Sequence, residues 1–275
     1  MRIRAIHPKT LLTVLLLLIA VCGGLGACRH AGAQRAATSV QNAKYEVQSS
    51  GFYALPLADR AEQLLYRKAY VVSYNRDWLQ PNWVGWHLTK EHTYGDVPRP
   101  ATAWHEDHDV PQPRVRYQDY RGTAWDRGHL CPAGDNKWDE TAMYESFLMS
   151  NASPQNKAFN SGVWNDIEQT CRRWARKWGD IHIVCGPLFL NQEHDSVGPN
   201  RIPVPEAFFK VIADLNPDHP KGIAFVCRNN EGKQKKDLYT NSIADVERLT
   251  GITFFPTLPV DLAEQVKRAA DIKQW

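Results

Sequence analysis

The chain has 275 residues, 43% hydrophobic and 23% charged, a globular composition whose length suits one large domain or two small ones. It contains no fixed-period repeat and no low-complexity tract, which argues against a solenoid or a wholly disordered chain. The net charge of +3 is carried by Arg2, Arg4 and Lys9, with no acid before Cys28, so the remainder is neutral and any nucleic-acid binding must come from a local patch.

In chain order, residues 1–27 read as a secretory signal: a basic start, an apolar run from Leu11 to Val21, then small residues. That run is short for a spanning helix, which needs about 20 residues. Leu25-Gly26-Ala27-Cys28 resembles a bacterial lipoprotein processing site, so export is expected, to the periplasm, the outer surface or the medium; the open alternatives are lipid attachment to a membrane through Cys28, plain cleavage near Ala27 and an uncleaved anchor helix. Residues 28–45 are small, polar and aperiodic and read as a tether; a single domain is expected over 46–275.

Within the domain, 69–75 and 82–89 read as an antiparallel strand pair and 113–120 as a weaker strand. A short helix is expected from Asp139 to Ser146, capped by Asp139 or Thr141. Val163, Ile167, Cys171, Trp174 and Trp178 form one apolar stripe, which predicts a helix from Asn160 to Trp178 closed by Gly179. Strands follow at 180–189, 207–215 and 222–227, then helices at 242–250, with a capping-box start at Ser242 and Asp245, and at 262–272. Strands and helices interleave without a βαβ rhythm, so the expected fold class is α+β, a mostly antiparallel central sheet flanked by helices.

Cys131, Cys171, Cys185 and Cys227 are an even number for an oxidising compartment, and no CxxC pair suggests a zinc ribbon. Cys185 and Cys227 each end an apolar run; they are either bridged or buried as small hydrophobes.

Two stretches carry chemistry. In WDRGHLCPAGDNKW (125–138), Asp126, Arg127 and His129 crowd around Gly128 between two tryptophans. A core strand does not accept three ionisable groups in four residues unpaired, and Gly128 reads as a hinge that lets the backbone turn His129 outward. In NASPQNKAFNSGVWNDIE (151–168), Asn160, Trp164 and Glu168 fall at i, i+4 and i+8, on one helix face. An asparagine oxygen suits a hard cation such as Mg²⁺, and a carboxylate two turns on can hold the ion's waters. The segment WHEDHD (104–109) is rich in ligand-type residues but lacks the HExxH spacing, and reads as a polar surface loop; Trp164, Trp174 and Trp178 read as core.

Asp126-Arg127-Gly128-His129, then Asn151-Ala152-Ser153-Pro154-Gln155, Asn160, Trp164 and Glu168 in this order, resemble the DNA/RNA non-specific endonuclease family, the endonuclease G-like ββα-metal group. CGPLF (185–189), VPEAFFKVI (204–212) and ADVERLTGITFF (244–255) extend the likeness over most of residues 65–258. The resemblance implies a ββα-metal finger and Mg²⁺-dependent hydrolysis of DNA and RNA to 5′-phosphate and 3′-hydroxyl ends, with Mn²⁺ as a substitute ion. It implies His129 as general base, Asn160 as metal ligand, Asn151 as an orienting residue, and Glu168 and Asp126 as anchors for the ion's waters. Arg127 would be a structural or phosphate-side cation and Arg99 the arginine on the scissile phosphate. Family members are often homodimers. Cys131 departs from the family's small apolar residue without touching this chemistry. The rival functions are a non-catalytic nucleic-acid-binding relative and a phosphodiesterase acting on small substrates.

Overall fold

The computed structural model describes residues 52–275 apart from 56, 102 and 231–233, so the signal and tether expectations for residues 1–45 lie outside the described residues. Strands β1 (Gln63–Tyr66), β2 (Val71–Asn75) and β3 (Gln80–Thr89) form an antiparallel meander, as the sequence pattern predicts for the last two. The chain then leaves the sheet for the ribbon of β4 (Trp125–His129) and β5 (Ala152–Asn156), with helix α1 (Glu140–Ser146) in the loop between them. The Asp139 side chain accepts from Ala142 N and caps α1.

Helix α2 (Asn165–Trp178) follows, and β6 (Asp180–Leu188) returns to the sheet beside β3. A small ribbon, β7 (Ser196–Val197) with β8 (Ile202–Pro203), precedes the long hairpin of β9 (Ala207–Asp214) and β10 (Lys221–Arg228). Short strand β11 (Thr240–Asn241) closes an all-antiparallel sheet in the order β1-β2-β3-β6-β9-β10-β11. Helices α3 (Ile243–Thr250) and α4 (Val260–Arg268) complete the α+β fold.

Both faces of the sheet are covered, which is why β9 is buried along its whole length. On one face Val72, Trp86, Ile183, Phe208, Ile212 and Phe225 pack on Val163, Ile167, Cys171 and Trp174 of the predicted stripe. On the other, Trp83, Val184, Phe209 and Val211 pack on Ile243, Val246 and Val266 of the last two helices. The period-2 alternation of β9 thus feeds two separate cores. Cys131, Cys171, Cys185 and Cys227 are buried and form no disulfide among the described residues, so Cys185 and Cys227 serve as small hydrophobes.

Three expectations need correction. Residues 113–120 contain no strand: Tyr117–Tyr120 is one turn of 3-10 helix, because the Asp119 carboxylate accepts from Arg116 N at 2.8 Å and offers the backbone a local partner. The last helix ends at Arg268 rather than 272, and Asp271 caps a separate turn over Ile272–Gln274. The helix predicted from Asn160 is not continuous: Asn156 caps a short turn Lys157–Phe159, and a wide π-type turn spans Asn160–Trp164, kinked at Gly162, before α2 begins. Gly179 stops α2 at a φ of 102°, a left-handed conformation that glycine adopts without a Cβ clash.

Candidate active site

The β4–β5 ribbon and the wide turn leading into α2 form the ββα unit that gathers the predicted residues. The register sets Asp126 against Gln155, Gly128 against Ser153 and His129 against Ala152. Gly128 is required for a reason other than a hinge. It lies inside a paired strand, and a Cβ there would stand 2.0 Å from Cδ of Gln155, whose side chain crosses over it. Gln155 is 0% exposed, and neither its amide oxygen nor its nitrogen has a hydrogen-bond partner among the described residues. Its place in the NxxPQ stretch was the available signal, but by itself it reads as a turn residue.

His129 packs against two aromatic rings that also touch each other, Trp104 with centroids 4.4 Å apart and Phe147 at 4.8 Å. Its Nε2 is buried and makes no hydrogen bond among the described residues. Burial, reinforced by the nearby Arg99 charge, pushes its pKa down to about 3, so the imidazole is neutral at neutral pH. Its carbonyl accepts from the Trp164 indole N–H at 3.2 Å. The backbone beyond it is fixed by Asn151: Leu130 N donates to the Asn151 carbonyl, Cys131 N donates to Oδ1, and Nδ2 donates to the carbonyls of Cys131 and Ser146. Asn151 is fully buried and its side chain is spent on these bonds, so it orients His129 from beneath.

Asn160 donates from Nδ2 to Asp126 Oδ2 at 3.1 Å. That bond orients the Asn160 amide, so Asp126 acts on Asn160 directly. A neutral amide oxygen is a donor type that a hard cation accepts. Glu168 is partly buried on α2; burial pushes its pKa up to about 7, against the opposing charges of Lys210 and Arg172. Arg99 is exposed, its guanidinium 6.0 Å from the Phe147 ring, and its charge acts on both His129 and Glu168. Arg127 projects elsewhere, stacking 4.5 Å over the Tyr117 ring, with its Nε buried and unpaired.

The WHEDHD segment is not the surface loop its composition suggests. Asp107 is 3% exposed; it pairs with Arg67 at 2.5 Å and accepts from the Ser150 hydroxyl. These contacts anchor the loop that lays Trp104 against His129. No group of three or more His, Cys, Asp or Glu is arranged to hold a metal among the described residues, in that loop or elsewhere. Of the flanking tryptophans, Trp125 packs on a small apolar cluster with Leu79 and Met149, and Trp138 stacks on His92 at 4.1 Å.

A family model described as DNA/RNA non-specific endonuclease matches residues 49–261. The chain belongs to this family. Within the DNA/RNA non-specific endonucleases it is similar to the mitochondrial nuclease EXOG of Danio rerio, 35% identical over 223 residues, which are 76% of this chain and 64% of that protein. It is equally similar to nuclease C1 of Cunninghamella echinulata var. echinulata, 35% identical over 73% of this chain and 85% of the relative. The crystal structure of an EndoG/EndoGI complex superposes with a TM-score of 0.68 at 27% identity, covering 75% of this chain and 89% of that one. The chain thus spans less than two thirds of the EXOG relative's length, and the matched part contains the whole ββα unit.

Glu168 offers a stability test. Its folded pKa of about 7 lies above the ordinary value of 4.5, so the folded state binds the extra proton between these limits. Stability attached to this group is present below about 4.5 and lost as pH rises through 7. Glu168→Gln is expected to melt higher than wild type at pH 8, by about 2–6 °C for a gain on the order of 1–2 kcal/mol, with the gap closing toward pH 4.5. Thermal melts without divalent ions check this; a gap independent of pH would refute it.

Proposed function

We propose that the protein is an exported endonuclease that hydrolyses phosphodiester bonds in DNA and RNA with the help of one Mg²⁺ ion, leaving 5′-phosphate and 3′-hydroxyl ends. The carrying observation is the Asn160 amide, oriented by Asp126 through its Nδ2, on the same unit as a neutral His129 whose buried Nε2 has no partner among the described residues. His129 Nε2 takes a proton from water as that water attacks phosphorus. Burial is the larger cause of the depressed His129 pKa and the Arg99 charge the smaller; a substrate phosphate beside Arg99 would offset the smaller one and raise the basicity of the imidazole in part. Asn160 Oδ1 would hold the cation and Glu168 would face its hydration; when bound, the ion supplies Lewis-acid stabilisation of the phosphorane and the leaving 3′ oxygen. Arg99 binds the phosphate. Backbone contacts of this kind carry no base information, in keeping with a sugar- and sequence-indifferent enzyme.

Export is supported by the basic and apolar start of the chain and the Leu25-to-Cys28 ending, with lipid on Cys28 as the anchor. Palmitate labelling of wild type against Cys28→Ala tests the anchor; an unlabelled wild type would remove it.

Supercoiled plasmid incubated with residues 29–275 is expected to be nicked in Mg²⁺ and left intact in EDTA. Cleavage is expected to fall steeply with salt, because each phosphate contact releases counterions. Plasmid that is bound but never cut in Mg²⁺ would favour the binding-only relative, and turnover confined to small phosphodiesters would favour the other rival.

A further inference from the structure

Lys210 occupies a place that the strand pattern reserves for an apolar residue. On β9 it shares a face with Phe208 and Ile212, which pack in the core beneath α2, and it is paired with Cys185 of β6 and Phe225 of β10. It is 1% exposed. An ammonium so deep costs several kcal/mol unless its surroundings compensate. Here Nζ lies 4.3 Å from the centroid of the Trp164 ring and 5.0 Å from that of Trp86. Burial pulls the lysine pKa down, but the acidic groups around it, the carboxyls of Glu168 and Asp135 among them, outweigh it and the pKa is raised.

The two indoles that face the ammonium each commit their N–H. Trp86 donates to Asp135 Oδ2 at 3.1 Å, and Asp135 also pairs with Arg172 of α2 at 2.7 Å. Trp164 donates to the His129 carbonyl at 3.2 Å. A cation fixed by the sheet therefore pins the ring that grips the backbone of the catalytic histidine. A methionine of similar length would fill the volume without this attraction to the ring face.

We propose that Lys210 is a positioning residue of the nuclease site, holding Trp164 between the sheet and the finger so that its N–H fixes the His129 backbone. This rests on the functional reading above. The chemistry would pass through Lys210 at no step; the residue sets where the His129 imidazole stands when it takes the proton.

Two measurements on Lys210→Met, Trp164→Phe and the double variant test it. The first is hydrogen exchange of the indole N–H protons by NMR, with the Trp164 signal assigned by its loss in Trp164→Phe. Trp83, buried on the opposite face of the sheet, is the internal control. In Lys210→Met the Trp164 proton is expected to exchange at least about 10-fold faster relative to Trp83. The second is cleavage kinetics below the melting temperature. Lys210→Met is expected to lose about 10–100-fold in kcat with KM within about 3-fold, as a misplaced base would. Trp164→Phe is expected to lose about 10-fold, and the double variant no more than the worse single one, since both act on one contact.

An unchanged exchange ratio in Lys210→Met overturns the proposal, as do losses that multiply in the double variant. Should Lys210→Met fail to fold, Trp164→Phe decides alone: wild-type kcat in that variant would mean the link to His129 has no function. A wild-type protein that cuts no nucleic acid would defeat the functional reading, while the exchange comparison would still decide the role of Lys210.

Discussion

Replacement of His129 by alanine is expected to lower kcat for plasmid cleavage by about 10²–10⁴-fold, the range a positioned general base supplies. Little else should move. The finger is held through backbone groups that the substitution keeps: the His129 carbonyl still accepts from Trp164, and Asn151 still fixes Leu130 and Cys131. KM should stay within about 3-fold, because on the proposed reading phosphate and cation binding fall to Arg99 and Asn160 rather than to His129. The vacated space lies against the rings of Trp104 and Phe147, an apolar corner that an azole can occupy. Free imidazole in the buffer is therefore expected to restore part of the lost rate. Single-turnover cleavage with and without imidazole checks both statements. A variant within 10-fold of wild type would mean that another group is the base.

The largest effect on stability is expected from Gly128→Ala. The added methyl would sit 2.0 Å from Cδ, 2.1 Å from Oε1 and 2.3 Å from Cγ of Gln155. Gln155 is wholly enclosed, so it cannot swing into solvent to make room. The ribbon must spread or Gln155 must leave its rotamer, at a cost of about 2–4 kcal/mol, or about 5–15 °C in Tm. The same cause predicts its own cure: Gln155→Ala removes the obstructing atoms, and the double variant should melt well above Gly128→Ala. Thermal melts of the two singles and the double decide it. A Gly128→Ala protein that melts with wild type, or a double variant no better than the single, would show that the clash is relieved some other way.

The site was legible in the sequence where its chemistry is written in local spacing. Asp126 through His129 and the Asn160–Glu168 interval identify the finger because the same few residues must both form the ribbon and carry the groups. The sheet was legible for a similar reason: β6, β9 and β10 are buried on two faces and read as apolar runs. What escaped depends on contacts distant in the chain. Trp104 meets His129 across 25 positions through a loop anchored by Asp107, and nothing around it in sequence marks that. Gly128 was rightly singled out but for the wrong cause, since the need for a missing Cβ is set by Gln155 on the neighbouring strand. Lys210 reads as a break in an apolar strand and only becomes sensible beside Trp164 and Trp86. The wide turn at Asn160–Trp164 was invisible because the apolar stripe after it continues in register.

That turn bears on which changes in chain length the protein can absorb. Each residue of a helix advances the side-chain direction by about 100°. Deleting one residue between Asn160 and Trp164 would let the segment relax into regular α-helix, a conformation with better hydrogen bonds, yet it would swing Asn160 away from Asp126. Inserting one would do the same in the other sense. The interval from Asn160 to Glu168 is thus a place where a single-codon gain or loss could leave a well-folded domain without its ligand, whereas loops such as the one around Leu190–Asp195 carry no such constraint on length.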